Sequence, residues 1–416
     1  MARGEMIVLA DPAYETSSWF ARCFAGLRAE AARCDFLVTK ADSPAKAREG
    51  GARACVLFGA DAPWVRETTA ALHALGVRSV LAGAQPDAFY GASGAVVDRR
   101  MLMEDTVRYF VANGRRRLAC LGGEPTNIND AIRIAAFHSA MRACGLSSGE
   151  GDVFTAEKGI DACALALLEN ARRYDGALCV NDQTAVRLIA LAREKSVRVP
   201  EDLFVSGSGN LLVGRLCHPT LTTSDLDYYQ MGRKTVGVWQ HLERTPDVTA
   251  MTVTIPHRLI PRGSTAFLPP ADGATFPTGA SAPQSAARDA AREQVEQFEN
   301  CLFRCDALDL RILAGIARGH SMETIAAELF VALGTVNYRA KKLYRAMGVQ
   351  CRRELEEALA RQQADPDALD EMARETEEGR LIRYQPVKKF LGEFERAAAL
   401  STLIIFSDMR GENGHF

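Results

Sequence analysis

Residues 334–347 carry a run of polar and basic side chains that can contact a phosphate backbone and the edges of bases. If this segment is a helix, Val336, Leu343 and Met347 fall on one apolar face. The outward positions hold no carboxylate; they are Thr335, Asn337, Tyr338, Arg339, Lys341, Lys342 and Arg345. Asparagine bonds adenine through two hydrogen bonds and lysine favours guanine O6 and N7, so the segment predicts a helix that enters the major groove of double-stranded DNA. The alternative for any basic run is an ordinary solvated helix face.

A short scaffold helix is predicted just before this segment, because Ile325, Ala326 and Leu329 repeat as one buried face. Residues 331–334 then form a tight connection. Residues 319–339 read GHSMETIAAELFVALGTVNYR. This stretch resembles the C-terminal helix-turn-helix of the LuxR/NarL family, whose pattern is G-x-S-x-x-E-I-A-x-x-L-x-x-S-x-x-T-V-x-x-H. It departs from that pattern at Ala332, which stands at the usual serine N-cap, and at Arg339, which replaces a frequent histidine.

The LuxR/NarL resemblance implies a role for each polar position. Asn337, Tyr338 and Lys341 would approach base edges. The side chains that would meet phosphates are Thr335, Arg339, Lys342 and Arg345. Residues 352–361 would form a fourth helix, which in that family commonly pairs two modules. The resemblance therefore implies a homodimer on double-stranded DNA.

A second group of candidate binding residues lies within the first 262 residues. Short apolar runs alternate there with amphipathic segments of helix length, which predicts parallel sheets covered by helices on both faces. Sheets of this kind bind ligands beyond the carboxyl ends of their strands. Several segments, in order, resemble the effector-binding domain of the LacI/GalR repressor family. They are RRRLACLGG (115–123), AIRIAAF (131–137), VND (180–182), VPED (199–202), PTLTT (219–223) and DYYQMG (227–232).

The LacI/GalR resemblance implies an α/β fold with two periplasmic-binding-protein-like lobes and a ligand between them. One lobe would comprise about 6–117 plus 226–245, and the other about 118–223 plus 246–262. The positions that match the family's effector contacts are Asp98, Arg133, Asn181, Asp182 and Tyr228. A guanidinium offers a rigid fork of donors, an amide both donates and accepts, and an aromatic face packs on a ligand ring.

Each of these positions also has a plainer interpretation. Arg133 could lie on a helix surface, Asn181 and Asp182 could cap the helix that starts near Thr184, and Tyr228 could be core packing. The expected effector is a sugar or another polar metabolite. Residues 208–210 read Ser-Gly-Asn where most sugar-binding members have aromatic-Asp-Asp, and this missing carboxylate disfavours a sugar.

The composition divides the chain into four predicted segments. Residues 1–263 form the LacI-type sensor, 264–290 a linker rich in Pro, Gly, Ala, Ser and Thr, and 291–362 an all-α helix-turn-helix domain. Residues 363–416 are an extension without an assigned role, in which 365–378 is expected to be a solvated acidic helix and 381–416 to dock on another surface. A flexible linker of this length has an r.m.s. span on the order of 30 Å. That span suits modules on half-sites about 34 Å apart.

The composition also limits the class of protein. A chain of 416 residues with 25% charged and 47% hydrophobic residues is typical of a soluble protein with two or more domains. The net charge of −2 argues against a protein that coats nucleic acid over its whole surface. Neither a signal peptide nor a membrane-spanning run is evident, so a cytoplasmic protein without a membrane partner is expected.

Function follows from these motifs. No catalytic, cofactor-binding or metal-binding motif is found, so the sequence predicts neither an enzyme nor a cofactor or metal site. It predicts a ligand-responsive transcriptional regulator. The alternative is a non-catalytic small-molecule sensor or scaffold whose degenerate helix-turn-helix makes protein contacts.

Overall fold

The computed structural model describes residues 4–124, 126–266 and 290–378. Its strands are β1 Gly4–Ala10, β2 Phe36–Lys40, β3 Ala54–Phe58, β4 Arg78–Ala82, β5 Ser93–Val97, β6 Leu118–Gly123, β7 Val153–Thr155, β8 Gly176–Cys179, β9 Phe204–Ser208, β10 Thr222–Asp225, β11 Thr252–Ile255 and β12 Arg258–Ile260.

The helices fall into an amino-terminal and a carboxyl-terminal group. The first comprises α1 Ser18–Arg33, α2 Pro44–Glu49, α3 Ala62–Ala74, α4 Arg99–Ala112, α5 Ile128–Ala143, α6 Ile160–Glu169, α7 Asp182–Glu194, α8 Val213–Leu216 and α9 Tyr228–Arg244. The second comprises α10 Ala290–Arg304, α11 Ala307–Ala317, α12 Met322–Glu328, α13 Leu333–Ala346, α14 Arg352–Arg361 and α15 Pro366–Glu377.

The first lobe is built on a parallel sheet in the order β11-β5-β4-β3-β1-β2. Its central strands β3, β4 and β5 are almost fully buried and largely apolar, as parallel strands covered on both faces are. Helices α1 and α9 pack against each other at very short range. A Cβ on Gly232 would lie 1.8 Å from the carbonyl oxygen of Cys23, and one on Gly26 would lie 1.9 Å from that of Tyr229. Only glycine permits this approach of two helix backbones.

The second lobe is built on a sheet in the order β12-β10-β9-β8-β6-β7, in which only the β10–β12 pair is antiparallel. The predicted α/β class with two parallel-dominant sheets is confirmed. Two lobe boundaries differ from the expected ones. Helix α4 belongs to the second lobe, because Val107 and Phe110 are buried with Leu118 and Phe137. Strand β11 belongs to the first lobe, where it extends the sheet beside β5.

The helices α10–α15 form a helical region whose buried side chains belong to one apolar cluster with those of the second lobe. An N-terminal box of Asp306 and Asp309 begins α11, and the Ser321 side chain caps α12. The prediction of a freely solvated helix over 365–378 is wrong. Helix α15 packs on the other helices, because Leu369 and Met372 are buried in the apolar cluster. The sequence did not predict this apolar face, because acidic residues outnumber the apolar ones in this segment.

Only the first residues of the expected linker, 264–266, and residues 363–378 of the expected extension are among the described residues. Ser264 and Thr265 lie in a 3-10 turn that is buried in the second lobe, where the Ser264 hydroxyl donates to Val205 O. Residues 267–289 and 379–416 lie outside the described residues. The linker, and the docking of 381–416, therefore stay predictions.

Candidate effector cleft and nucleic-acid interface

Three chain crossings join the two lobes and define the cleft between them. They lie between β5 and α4 at Asp98, between β10 and α9 at residues 226–227, and between β11 and β12 at residues 256–257. Polar side chains gather where the strands of the second lobe end. This is the edge at which an open α/β sheet binds its ligand.

Arg133 is buried in the cleft, with 6% of its surface exposed, so it is not a helix-surface arginine. Its Nη1 donates to Asp130 Oδ1 at 2.9 Å. A second buried arginine, Arg99, donates to Gly83 O at 2.6 Å, and Asn129, one turn before Arg133, donates to the same oxygen at 3.3 Å. Burial and the positive charge of Arg133 together lower the pKa of Arg99 to about 9. The cleft thus holds two neighbouring guanidinium groups.

Sequence reasoning missed Arg99 and Asn129. The available signal was position, since Arg99 follows β5 directly at a lobe crossing and Asn129 precedes Arg133 by one helical turn. The Nε atoms of Arg99 and Arg133, and the Oδ1 of Asn129, are buried without a hydrogen-bond partner among the described residues. Such groups are costly unless something binds them.

Three of the predicted contacts hold the local backbone. The Asp98 Oδ1 accepts from the N–H groups of Arg100 and Met101 at the start of α4. The Asn181 Oδ1 accepts from Thr184 N at 2.9 Å, so the capping interpretation fits its geometry. Asp182 is fully buried, and its carboxylate accepts from Leu211 N at 2.7 Å and from the Thr223 hydroxyl at 2.6 Å. The bonds of Asp182 tie the start of α7 to the loop after β9 and to strand β10.

Tyr228 is partly buried at the start of α9, with its ring centroid 6.3 Å from that of Trp19. It lies beside a narrow pocket lined by Arg22, Asn210 and Asp227. Burial raises the pKa of Tyr228, while the nearby charges of Arg133 and Arg99 oppose that rise. Of the predicted effector contacts, the structure therefore brings Tyr228 and Arg133 together and adds Arg99.

Asp182 predicts a measurable pH dependence of stability. Burial raises the pKa of Asp182 to about 6, from 3.8 for an exposed carboxyl. Since the folded state then holds this proton more tightly than the unfolded chain, its contribution to stability increases as the pH falls from above 6 towards 4. The full change is on the order of 3 kcal/mol.

Asp182→Asn should remove the pH-dependent contribution of this side chain to the free energy of unfolding. Its amide oxygen can accept from Leu211 N, and its NH₂ group can donate to the Thr223 hydroxyl. Urea unfolding of both proteins at pH 5 and pH 7.5 measures the difference. An equal pH effect in the two proteins would show that this carboxyl is not the titrating group.

The helix predicted to enter DNA is α13, Leu333–Ala346, one residue displaced at each end from the predicted 334–347. Val336, Leu343 and Met347 are buried as predicted. The opposite face is open to solvent, and Tyr338 is 73% exposed. The other exposed members of the predicted set are Thr335, Asn337, Lys341, Lys342 and Arg345. Asn337, Lys341 and Arg345 are spaced four residues apart and lie close to one helical stripe, with Tyr338 beside it.

Arg339 and Lys342 have acidic partners inside the helical region. Arg339 Nη1 donates to Asp306 and, at 2.7 Å, to Asp309, and these carboxylates raise the pKa of Arg339. Lys342 Nζ lies 3.4 Å from the buried Asp309. Arg339 thus holds α13 against α11, whereas Lys342 is still half-exposed. Ala332 leaves α13 without a side-chain N-cap, as its residue type implied.

Within the described residues, no helix combines the length and the apolar composition that crossing a membrane requires. The comparisons with known proteins concern mainly the lobes. A model of the periplasmic binding protein-like domain matches residues 107–265. The HTH-type transcriptional repressor CytR of Escherichia coli (strain K12) is 28% identical over 178 residues, which are 42% of this chain and 52% of that protein. The chain spans about half the length of the curated relatives it matches.

Solved structures show the same fold. The transcription regulator CcpA of Lactococcus lactis has a TM-score of 0.56 at 20% identity, over 63% of this chain and 100% of that one. A putative transcriptional regulator LacI from Bacillus cereus subsp. cytotoxis has a TM-score of 0.57 at 16% identity, over 63% and 98%. The chain therefore carries a periplasmic-binding-protein-like domain, similar to those of the regulators named here, followed by a helical region.

Proposed function

We propose that this chain is a ligand-responsive transcriptional regulator that binds double-stranded DNA, acts in the cytoplasm as a homodimer and has no catalytic activity. The observation that carries the proposal is the exposed polar and basic face of α13. Its apolar face is held by the neighbouring helices, and Ser321 starts the scaffold helix α12 just before it. This arrangement supports the proposal of a LuxR-type helix-turn-helix in which α13 would enter the major groove.

The cleft supports an effector that presents hydrogen-bond acceptors. Arg99 and Arg133 offer buried donors with unused Nε atoms, and Tyr228 lies beside them. The residue at position 209 is glycine, which has no side-chain carboxylate to accept hydrogen bonds from sugar hydroxyls. An acidic metabolite therefore suits this cleft better than a neutral sugar. Asp182, Asn181 and Asp98 would shape the cleft by fixing its loops.

A second candidate function is a non-catalytic sensor or scaffold in which the helical region binds another protein. The exposed apolar side chains favour it, since Phe330, just before α13, is 95% exposed and Leu333, the first residue of α13, is 37% exposed. The two functions differ in what α13 contacts, DNA or a protein surface.

Selection of genomic fragments by the purified full chain tests the proposal. We expect enrichment of discrete fragments, and the set or its occupancy should change when extracts of small metabolites are added. Affinity for the selected fragments should fall steeply between 50 and 200 mM salt, because binding to phosphates releases counterions. A protein that retains no fragment at low salt would contradict DNA binding and leave the protein-contact alternative.

A further inference from the structure

Helix α10, which opens the helical region, lies across the cleft and contacts both lobes. Its Glu299 is fully buried, with 0% of its side chain exposed. One carboxylate oxygen pairs with Arg22 of α1 in the first lobe. The other accepts from Val213 N at 2.9 Å, at the start of α8 in the second lobe. A single side chain therefore bonds both lobes.

Glu296, one turn earlier on the same helix, repeats this arrangement. Its Oε2 accepts from Ser18 N at 3.0 Å, in the first lobe, and its Oε1 accepts from the Gln183 side chain in the second. Asn300 adds a bond to Thr16 O in the first lobe at 2.9 Å, and Arg292 pairs with Glu124 in the second. We call α10 with these contacts the clamp helix.

The clamp helix fits only one relative position of the lobes. Opening or twisting the cleft would pull Arg22 away from Val213, so Glu299 would lose one of its two partners while it stayed buried. A buried carboxylate that loses a partner is strongly unfavourable. A change in the relative position of the lobes must therefore also detach the helix from one of them. Arg22 also donates to Asn210 O of the second lobe at 3.3 Å, which places the clamp beside the effector pocket.

The clamp helix is also part of the helical region. The buried side chains of Val295, Phe298 and Leu302 belong to the same apolar cluster as Leu313 of α11 and Val336 of α13. A single residue pair, 305–306, separates α10 from α11. The same cluster also contains Leu191 and Leu216 of the second lobe, and Arg215 of α8 pairs with Glu375 of α15. The helical region is therefore packed on the second lobe, and a change in the cleft must move α13 relative to the first lobe.

We propose that α10 is an interlobe clamp that couples the geometry of the cleft to the position of the helical region. This inference rests on the proposed function and adds the route of its regulation. An effector that changes cleft closure would break the bonds of Glu296 and Glu299 to the first lobe, and the helical region, packed on the second lobe, would reorient relative to the first. The ligand acts only through its different affinity for the clamped and the released states.

Hydrogen exchange of the full chain, followed by mass spectrometry, tests the clamp. In Glu299→Gln the amide NH₂ must face either Arg22 or Val213 N–H, which sets donor against donor. We expect peptides from α10, from residues 16–22 and from residues 209–214 to exchange at least tenfold faster than in the wild type. Peptides from β3 should be unchanged. The matched control is Glu293→Gln, an exposed residue of the same helix, which should leave all these peptides unchanged.

Two results would overturn the proposal: unchanged exchange in all three segments, or faster exchange in α10 alone, which would mean that the helix does not join the lobes. If Glu299→Gln exchanges faster in β3 as well, the variant is globally unstable. Glu296→Ala, which removes the bonds of that side chain to Ser18 N and to Gln183, then decides by the same criteria. DNA affinity of the wild type is measured separately on the same preparation. A chain that does not bind DNA refutes the proposed function, whereas the exchange pattern alone decides on the clamp.

Discussion

Replacing Asn337 and Lys341 together by alanine is expected to weaken binding to the selected DNA by about 100-fold or more. Both side chains are exposed on α13, one turn apart, where they can reach base edges on the same side of the helix. Each good contact to a base contributes about 1–3 kcal/mol of discrimination. The loss should be larger for the selected sequence than for random DNA, so the specificity ratio should fall as well.

Fluorescence anisotropy with a labelled duplex measures this loss at fixed salt. Lys158→Ala is the matched control, because it removes an exposed lysine from the second lobe without touching α13. Arg345→Ala separates the two kinds of contact: as a phosphate contact, it should weaken all sequences alike and reduce the salt slope by about one. Equal affinity of the double variant and the wild type would remove α13 from the DNA interface.

Gly232→Ala is expected to destabilise the chain by about 3 kcal/mol or more, the upper end of the cost of overpacking. The new Cβ would lie 1.8 Å from the carbonyl oxygen of Cys23 and 2.7 Å from the amide nitrogen of Leu27. Both are backbone atoms of α1, so no side-chain rotation relieves the contact. The helices α1 and α9 would have to separate, which would expose the core of the first lobe.

The same helix supplies the control. Gly237 is exposed in α9, and a Cβ there meets no atom within 4 Å. Gly237→Ala should therefore stabilise the protein by about 0.5–1 kcal/mol, since alanine is the better helix former. Thermal and urea unfolding of the three proteins compare these effects. Unfolding of Gly232→Ala at the wild-type urea concentration would show that the close helix packing does not exist.

Sequence periodicity predicts the helices and strands of this fold, but it does not predict which elements pack or pair with one another. The alternation of apolar strands and amphipathic helices predicted both parallel sheets, and the spacing of Val336, Leu343 and Met347 predicted the buried face of α13. The same pattern could not assign α4 or β11 to a lobe. That assignment depends on side-chain packing and strand pairing across long stretches of chain.

The candidate sites show a similar limit. Asn181 and Asp98 are residue types that serve equally as helix caps and as ligand contacts, and only the geometry reveals the cap. Glu296 and Glu299 look like ordinary charges of a surface helix until the lobes are placed beside them. Burial of such groups requires partners that lie more than 80 residues away along the chain, so local patterns carry no sign of it.

The most direct test of the central proposal is photocrosslinking of the full chain to a selected duplex that carries 5-iodouracil, with the crosslinked residue located by mass spectrometry. Tyr338 is 73% exposed on α13 beside Asn337 and Lys341, and aromatic side chains in contact with the base form the adduct. The proposed function predicts a crosslink at Tyr338 that high salt abolishes. Crosslinks only on the first lobe, for example at Tyr90, which is 88% exposed, would show that DNA is bound elsewhere and would contradict the assignment of α13.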